Sequence, residues 1–424
     1  MIIYTATKGD TLYSIARRYG VTLSELERFN MLPDNSRISV GQDILIPVNN
    51  NTYTVKPGDS VFSIAVKEGI STADILRENP NLLEPYTIYP GQVLLIPDNA
   101  SNKKTIDVNG YCYPGINRDV LRQTLPYLTF LSIFSYSANA DGTLKGINDD
   151  ELIGIAKEFR TAPIMVVTNT IEGAGFDSDL AKTILTDNSV RSTLINNIVS
   201  TAKAKGYKGV DIDFEYIYPS NRADYNNFLT ELKGKLTPNN LSLSTAIAPK
   251  LSATQIGTLY EAHDYRFHGQ VADRVIIMTY EWGYLYGPPL AVAPYNEVKK
   301  VISYAVTEIP SEKILMGMPN YGYDWTLPYR EGTAAEILSI NSAILRAANV
   351  GADIQYNESS EAPFYEYSQN GSDHIVWFEN ARSTMARLQL INDYNLGGVS
   401  YWTIGSLFTQ NWRILSNMFN IRKI

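Results

Sequence analysis

Beyond about residue 105, apolar runs of strand length alternate with stretches in which apolar side chains return every three or four positions. The runs fall at 105–111, 128–134, 163–168, 208–215, 241–247, 274–280, 313–319 and 397–402. Helical periodicity fills the intervals, for example at 149–159, 189–204, 222–235 and 335–347. Eight such units over about 320 residues predict an α/β chain closed into a (β/α)8 TIM barrel, with an open doubly wound sheet as the alternative. Between the seventh and eighth runs, the segments 353–356, 362–367 and 374–378 read as a small β excursion placed to wall one side of a cleft.

The fourth run carries the candidate chemistry. In Gly209-Val210-Asp211-Ile212-Asp213-Phe214-Glu215 the acids alternate with apolar residues. Successive strand side chains point to opposite faces, so Asp211, Asp213 and Glu215 share one face and Val210, Ile212 and Phe214 the other. In a barrel the apolar face packs on helices and the acidic face lies inside, at the end of the strand where barrel active sites form. Three stacked carboxylates resist ionising together, so one holds a proton near neutral pH, as a general acid must. A solvated strand edge or a magnesium or calcium site on oxygen ligands would use the same residues. Lys208, an odd number of positions from Asp211, should point outward and away from the acids.

The N-terminal hundred residues repeat at a period of about 50. Tyr4-Thr5 through Gly9-Asp10-Thr11-Leu12 returns as Tyr53-Thr54 through Gly58-Asp59-Ser60-Val61. Ser14-Ile15-Ala16 returns as Ser63-Ile64-Ala65, and Gly41-Gln42 with Leu45-Ile46-Pro47 returns as Gly91-Gln92 with Leu95-Ile96-Pro97. Each copy reads strand, helix, helix, strand, with Asp10 and Asp59 where an N-cap or turn residue should precede the first helix and Asn30 and Asn79 after the second helix. These βααβ copies, at 1–48 and 52–98, resemble LysM modules, which bind N-acetylglucosamine polymers such as peptidoglycan and chitin. The resemblance implies a sugar groove between the loop after the first strand and the loop before the last. Here that means Gly9, Asp10, Thr11 and Leu12 with Leu32 and Ile38, and Gly58, Asp59, Ser60 and Val61 with Pro80 and Ile88. A short linker at 99–104 leads to the barrel at 105–424, and so short a tether keeps the modules within about 25 Å of it.

Composition narrows the partners. A net charge of −8 argues against nucleic acid as a general electrostatic partner, and no apolar run is long enough to span a membrane. One cysteine, Cys112, and three histidines leave no disulfide, zinc or redox centre in prospect, and no cofactor or metal is expected. The 29 tyrosines are frequent near strand ends, where their rings suit sugar faces. The start of the chain lacks the pattern of a secretory signal, so synthesis in the cytoplasm without classical export is the expectation.

Taken with the other strands, the acidic run resembles glycoside hydrolase family 18. The family's fourth-strand D-x-x-D-x-D-x-E is matched in its last three acids, with Lys208 in place of the first. Met278-Thr279-Tyr280-Glu281 is similar to the sixth-strand M-x-Y-D, Gly317-Met318-Pro319-Asn320-Tyr321-Gly322 to the seventh, and Gly397 to Trp402 to the eighth. The third-strand S-x-G-G, part of the family's usual subsite wall, is replaced by Val166-Val167-Thr168-Asn169-Thr170, where Asn169 is a candidate substrate-binding residue. The resemblance implies retaining, substrate-assisted hydrolysis. Glu215 would be acid and then base, Asp213 would orient the sugar's acetamide, Asp211 would tune Asp213, and Tyr280 would bind the acetamide oxygen. Trp402 would stack beneath the sugar, with Glu281, Trp282 and Tyr321 as further binding residues.

LysM modules joined to such a barrel are similar to the spore cortex-lytic enzymes of spore-forming bacteria. That similarity implies an N-acetylglucosaminidase acting on cortex peptidoglycan at germination, located at the spore coat or cortex surface. A chitinase, or a non-catalytic wall-binding protein on a dead barrel, are the alternatives.

Overall fold

The computed structural model describes residues 1–32, 37–47, 51–79, 82–97 and 103–424. Eight parallel strands form the barrel: Thr105–Cys112, Phe130–Ala138, Ala162–Thr168, Gly209–Asp213, Ser242–Ile247, Arg274–Ile277, Ile314–Pro319 and Gly398–Trp402. The ring closes because the first strand pairs with both the second (Asn109 opposite Phe130) and the eighth (Asp107 opposite Gly398). All seven residues of the third strand are buried, as expected where helices cover the outside of a parallel sheet. At the back of the fourth strand, Phe214 stacks on Tyr225 and Phe228 of the helix Arg222–Leu236. Inside, Asn109, Ser132 and Ser400 form a hydrogen-bonded layer. Nearer the strands' C-terminal ends, Tyr111, Val166, Ala246, Ile276 and Leu315 plug the barrel beneath the cleft.

The β excursion is larger than expected. It is a five-stranded antiparallel sheet in the order Glu336–Ser339, Tyr321–Leu327, Ser372–Trp377, Ala362–Gln369 and Gln355–Asn357. The helix expected at 335–347 is Ile340–Val350, because Ser339 caps it and Glu336–Ser339 pair with Tyr321–Asp324 as a strand. Lys208 is exposed, pointing away from the barrel interior.

Each N-terminal repeat is a two-stranded antiparallel pair with two helices. The first has Ile2–Thr5 paired with Asp43–Ile46 and helices Leu12–Tyr19 and Leu23–Asn30. The second has Asn51–Thr54 paired with Val93–Ile96 and helices Val61–Glu68 and Thr72–Glu78. The N-caps are Thr11, Thr22, Ser60 and Ser71, each in a capping box, so of the two expected roles Asp10 and Asp59 take that of turn residue. Those aspartates lie one residue earlier, where their carboxylates tie the turn. Asn30 and Asn79 do the same job in each copy. The side-chain amide of Asn30 spans Leu26 O and Leu45, and that of Asn79 spans Ile75 O and Leu95, joining the second helix to the last strand.

Both modules pack on the barrel. Asp43, almost fully buried, accepts from Arg382 Nε at 2.9 Å, Arg382 N at 3.1 Å and Thr5 Oγ1 at 2.9 Å. Gln410 Nε2 donates to Asn30 Oδ1 and to Asp43 O, and Ile354 N donates to Val40 O. Arg382 and Gln410 stand in the first turns of Ala381–Asp393 and Thr409–Met418. Barrel helices run antiparallel to the strands, so both contacts lie at the end where the strands finish. The second module sits elsewhere, with Arg77 bonded to Pro126 O and Tyr127, and Glu78 to Arg413. The second repeat has Val93 at the position of Asp43, and Val93 is exposed.

Candidate active site

Glu215 lies two residues past the end of the fourth strand, and its peptide is clamped on both sides. Its N–H donates to Asn169 Oδ1 and its carbonyl accepts from Asn169 Nδ2, both at 2.9 Å. The carbonyl of Phe214, one residue earlier, accepts from His263 Nε2 at 3.0 Å. His263 Nδ1 in turn accepts the Ala248 N–H, which fixes the neutral tautomer, and burial lowers the imidazole pKa to about 4. Tyr216 then takes a left-handed φ of 53° and turns the chain away. These bonds hold the Glu215 carboxyl at the wall of a cleft of about 640 Å³.

Asp213 is buried and lines the same cleft, and its Oδ1 has no hydrogen-bond partner among the described residues. A buried acceptor without a partner is costly unless a ligand supplies the donor. Asp211 lies one layer deeper, accepting from Tyr111 Oη at 2.7 Å and Ser244 Oγ at 2.6 Å. Burial, then the neighbouring Glu215 and Asp211, push the Asp213 carboxyl well above the usual range. Burial and then Glu281 raise Glu215 to about 7. Burial, with Asp213 and Glu215 beside it, keeps the Tyr280 phenol protonated and therefore a donor. Trp402 forms an aromatic floor with Tyr111, Tyr113 and Phe134, at ring-centre distances of 5.4, 6.0 and 5.0 Å.

Glu281 lines both the cleft and a neighbouring side pocket of about 300 Å³, and Tyr321 lines the side pocket. Glu281 accepts from Tyr321 and from Tyr323 Oη. Two expected binding residues do other work. Asn169 is fully buried, and its amide is spent on the backbone of Glu215 and Asp177, so it positions the acid and does not wall the cleft. Trp282 packs on the main core, because Glu281 has a φ of 68° and the chain turns the next side chain away from the cleft.

In the N-terminal repeats the proposed groove residues are largely occupied by their own turn. Asp10 accepts from Tyr4 Oη, Thr7 N and Arg18, and Asp59 from Tyr53 Oη and Lys56 N. Thr11 and Ser60 cap helices, and Leu12 and Val61 are in the module cores. Gly9 and Gly58 take φ of 90° and 88°, which favours glycine in that turn. Leu32 and Ile38 pack, partly buried, on the first module's core, and Ile88 on the second's. Pro80, most of the 99–104 linker and Asn49-Asn50 lie outside the described residues.

Several cleft residues escaped the sequence reading. Tyr111 and Tyr113 line the cleft, and with Asn109 deeper in the barrel they alternate with Val108, Gly110 and Cys112 along and just past the first strand, a period-2 signal that marks them as inward-facing. His263 had no signal beyond being one of three histidines.

A site with its acid at about 7 makes its own pH prediction. The rate under limiting substrate, kcat/KM, should fall as pH rises above about 7, where Glu215 loses its proton. Glu281→Gln should move that limb to lower pH by removing the like charge, and a pH–rate profile of both proteins measures it. The folded carboxyl lies above its ordinary value near 4.5. The stability this proton contributes is therefore complete below that value and disappears as pH rises through about 7.

The family model for glycosyl hydrolases family 18 matches residues 122–406, and the LysM domain model matches residues 4–47 and 53–97. The chain is 42% identical over 431 residues to the cortical fragment-lytic enzyme of Bacillus subtilis (strain 168), covering 100% of this chain and 99% of that one. It is similar to the crystal structure of the Bacillus cereus spore cortex-lytic enzyme SleL, with a TM-score of 0.85, 38% identity and coverage of 100% and 98%. A chitinase from Chromobacterium violaceum shares the barrel at a TM-score of 0.69 and 26% identity, covering 74% of this chain and 99% of that one.

Proposed function

The chain belongs to the glycosyl hydrolases of family 18, and on that footing we propose that it is an N-acetylglucosaminidase that cuts the glycan of spore cortex peptidoglycan. The observation that carries the reading is the pairing in one cleft of a proton held by Glu215 to about 7 with an unpartnered acceptor on Asp213. Glu215 gives its proton to the departing glycosidic oxygen as the C1–O bond breaks. The carbonyl oxygen of the sugar's own N-acetyl group attacks C1 and closes an oxazolinium ring. Asp213 Oδ1 accepts the acetamide N–H and faces the positive charge, while Tyr280 donates to the acetamide oxygen. Glu215, now ionised, takes a proton from water, which opens the ring at C1 with overall retention. Asp211, tied to Tyr111 and Ser244, keeps Asp213 in place, and Trp402 supports the sugar ring.

The mechanism chooses the bond. Muramic lactam has its nitrogen locked in a ring and offers no acetamide to attack, so the sugar at the new reducing end should be N-acetylglucosamine. Action at the spore, where the relatives' names place those proteins, follows from the same assignment. Digestion of isolated cortex followed by mass spectrometry of borohydride-reduced products tests it. Reduced N-acetylglucosamine ends are expected, and reduced muramic acid ends would overturn the reading.

A further inference from the structure

Two stretches of chain run side by side from the cleft to the first LysM module. After Trp402 on the cleft floor, Thr403, Gly405 and Ser406 line the side pocket. Phe408, Thr409 and Gln410 then line a crevice against Asn30, Met31 and Leu32 of the module. Opposite, Ile337, Leu338 and Ser339 line the side pocket, and Asn341, Ile344 and Leu345 line the crevice. Asn341 Nδ2 ties the two stretches together by donating to Leu407 O at 3.0 Å, and Asn320 Nδ2, just past the seventh strand, braces the first of them by donating to Thr403 O and Ser406 O at 2.9 Å. The side pocket and the cleft are neighbours that share Tyr113, Glu281 and Trp402 in their linings. Five residues separate Trp402 from Phe408, which limits the distance between them to about 20 Å.

We infer that the cleft, the side pocket and the crevice act as one channel for the uncut part of the strand being hydrolysed, so that one glycan occupies the cleft and the face of the first LysM module together. This rests on the reading of the cleft given above. The walls suit a sugar chain. Exposed Ile337 and Leu345 offer apolar surface for ring faces, and Ser406 offers a hydroxyl. The far end is fixed, because Asp43, Asn30 and Val40 hold the module to Arg382, Gln410 and Ile354. A module fixed at a set distance acts as a remote subsite at constant effective concentration, without the ordering cost of a flexible tether.

The test is a series of peptide-free peptidoglycan strands of graded length, cleaved by the whole protein. Removing the stems makes the glycan itself the occupant. KM should drop by about 10-fold in a step once a strand is long enough to reach the crevice, with kcat unchanged. Leu345→Glu and Ile337→Glu, both at exposed positions, should each remove the step, so that the long-to-short ratio of kcat/KM falls by the same factor. Cleavage of all lengths with a KM that declines smoothly, or a step that survives both substitutions, would overturn the channel and leave the cleft reading standing. Dependence of the step on intact peptide stems would assign the crevice to peptide and also overturn it. Failure of the wild type to cleave any strand would overturn both.

Discussion

Glu215→Gln lowers kcat by roughly 10²–10⁴-fold, the range a positioned general acid supplies. The amide keeps the size of the carboxyl and its place above Trp402 but has no proton to give at this pH. Asn169 and His263 bond to the main chain at 214–215, so the substitution leaves them undisturbed and the fold should be retained. Binding should survive while turnover does not. Steady-state kinetics on cortex fragments, with a direct binding measurement on the same protein, separates the two. An equal loss of both would mean that Glu215 holds substrate and does not protonate it.

Asp213→Asn lowers kcat by roughly 10²–10³-fold, comparable with removing one preorganised partner of transition-state charge. An amide can still bond to the acetamide but carries no charge to oppose the positive ring. It could also present its NH₂ where an acceptor is needed. The alkaline limb should remain near the wild-type position, since burial and Glu281 chiefly hold the proton on Glu215. A pH–rate profile of the variant therefore distinguishes two effects. A lowered plateau with an unmoved limb is expected; a limb displaced by a full pH unit would make Asp213 the group that sets the acid.

The eight strands and the acid face of the fourth were legible because both follow from local periodicity. Alternation along Gly209–Glu215 settles which side chains share a face, whatever surrounds them. Lys208 could be sent outward by the same counting. The roles of Asn169 and Trp282 could not. Asn169 bonds to a peptide 46 residues away, and Trp282 is redirected by one left-handed residue, and neither is a property of a sequence window. Tyr321–Leu327 was a different failure. Its Tyr-Gly-Tyr-Asp-Trp alternation was present, but the segment was read only as a match to the end of the seventh strand. Docking of the modules had one trace in the repeats, the substitution of Val93 for Asp43, which stands out only once Arg382 is seen beside it.

That single difference gives the tandem a direction. The duplicated units share their caps, turns and bracing asparagines, yet only the first has the carboxylate that Arg382 receives. Exchanging their order in the gene would bring a valine to a guanidinium and send an aspartate to open solvent. The copies are thus alike as folds and unequal as parts: the first has become a fitted piece of the barrel's rim, and a graft of the second in its place would leave the enzyme without that edge.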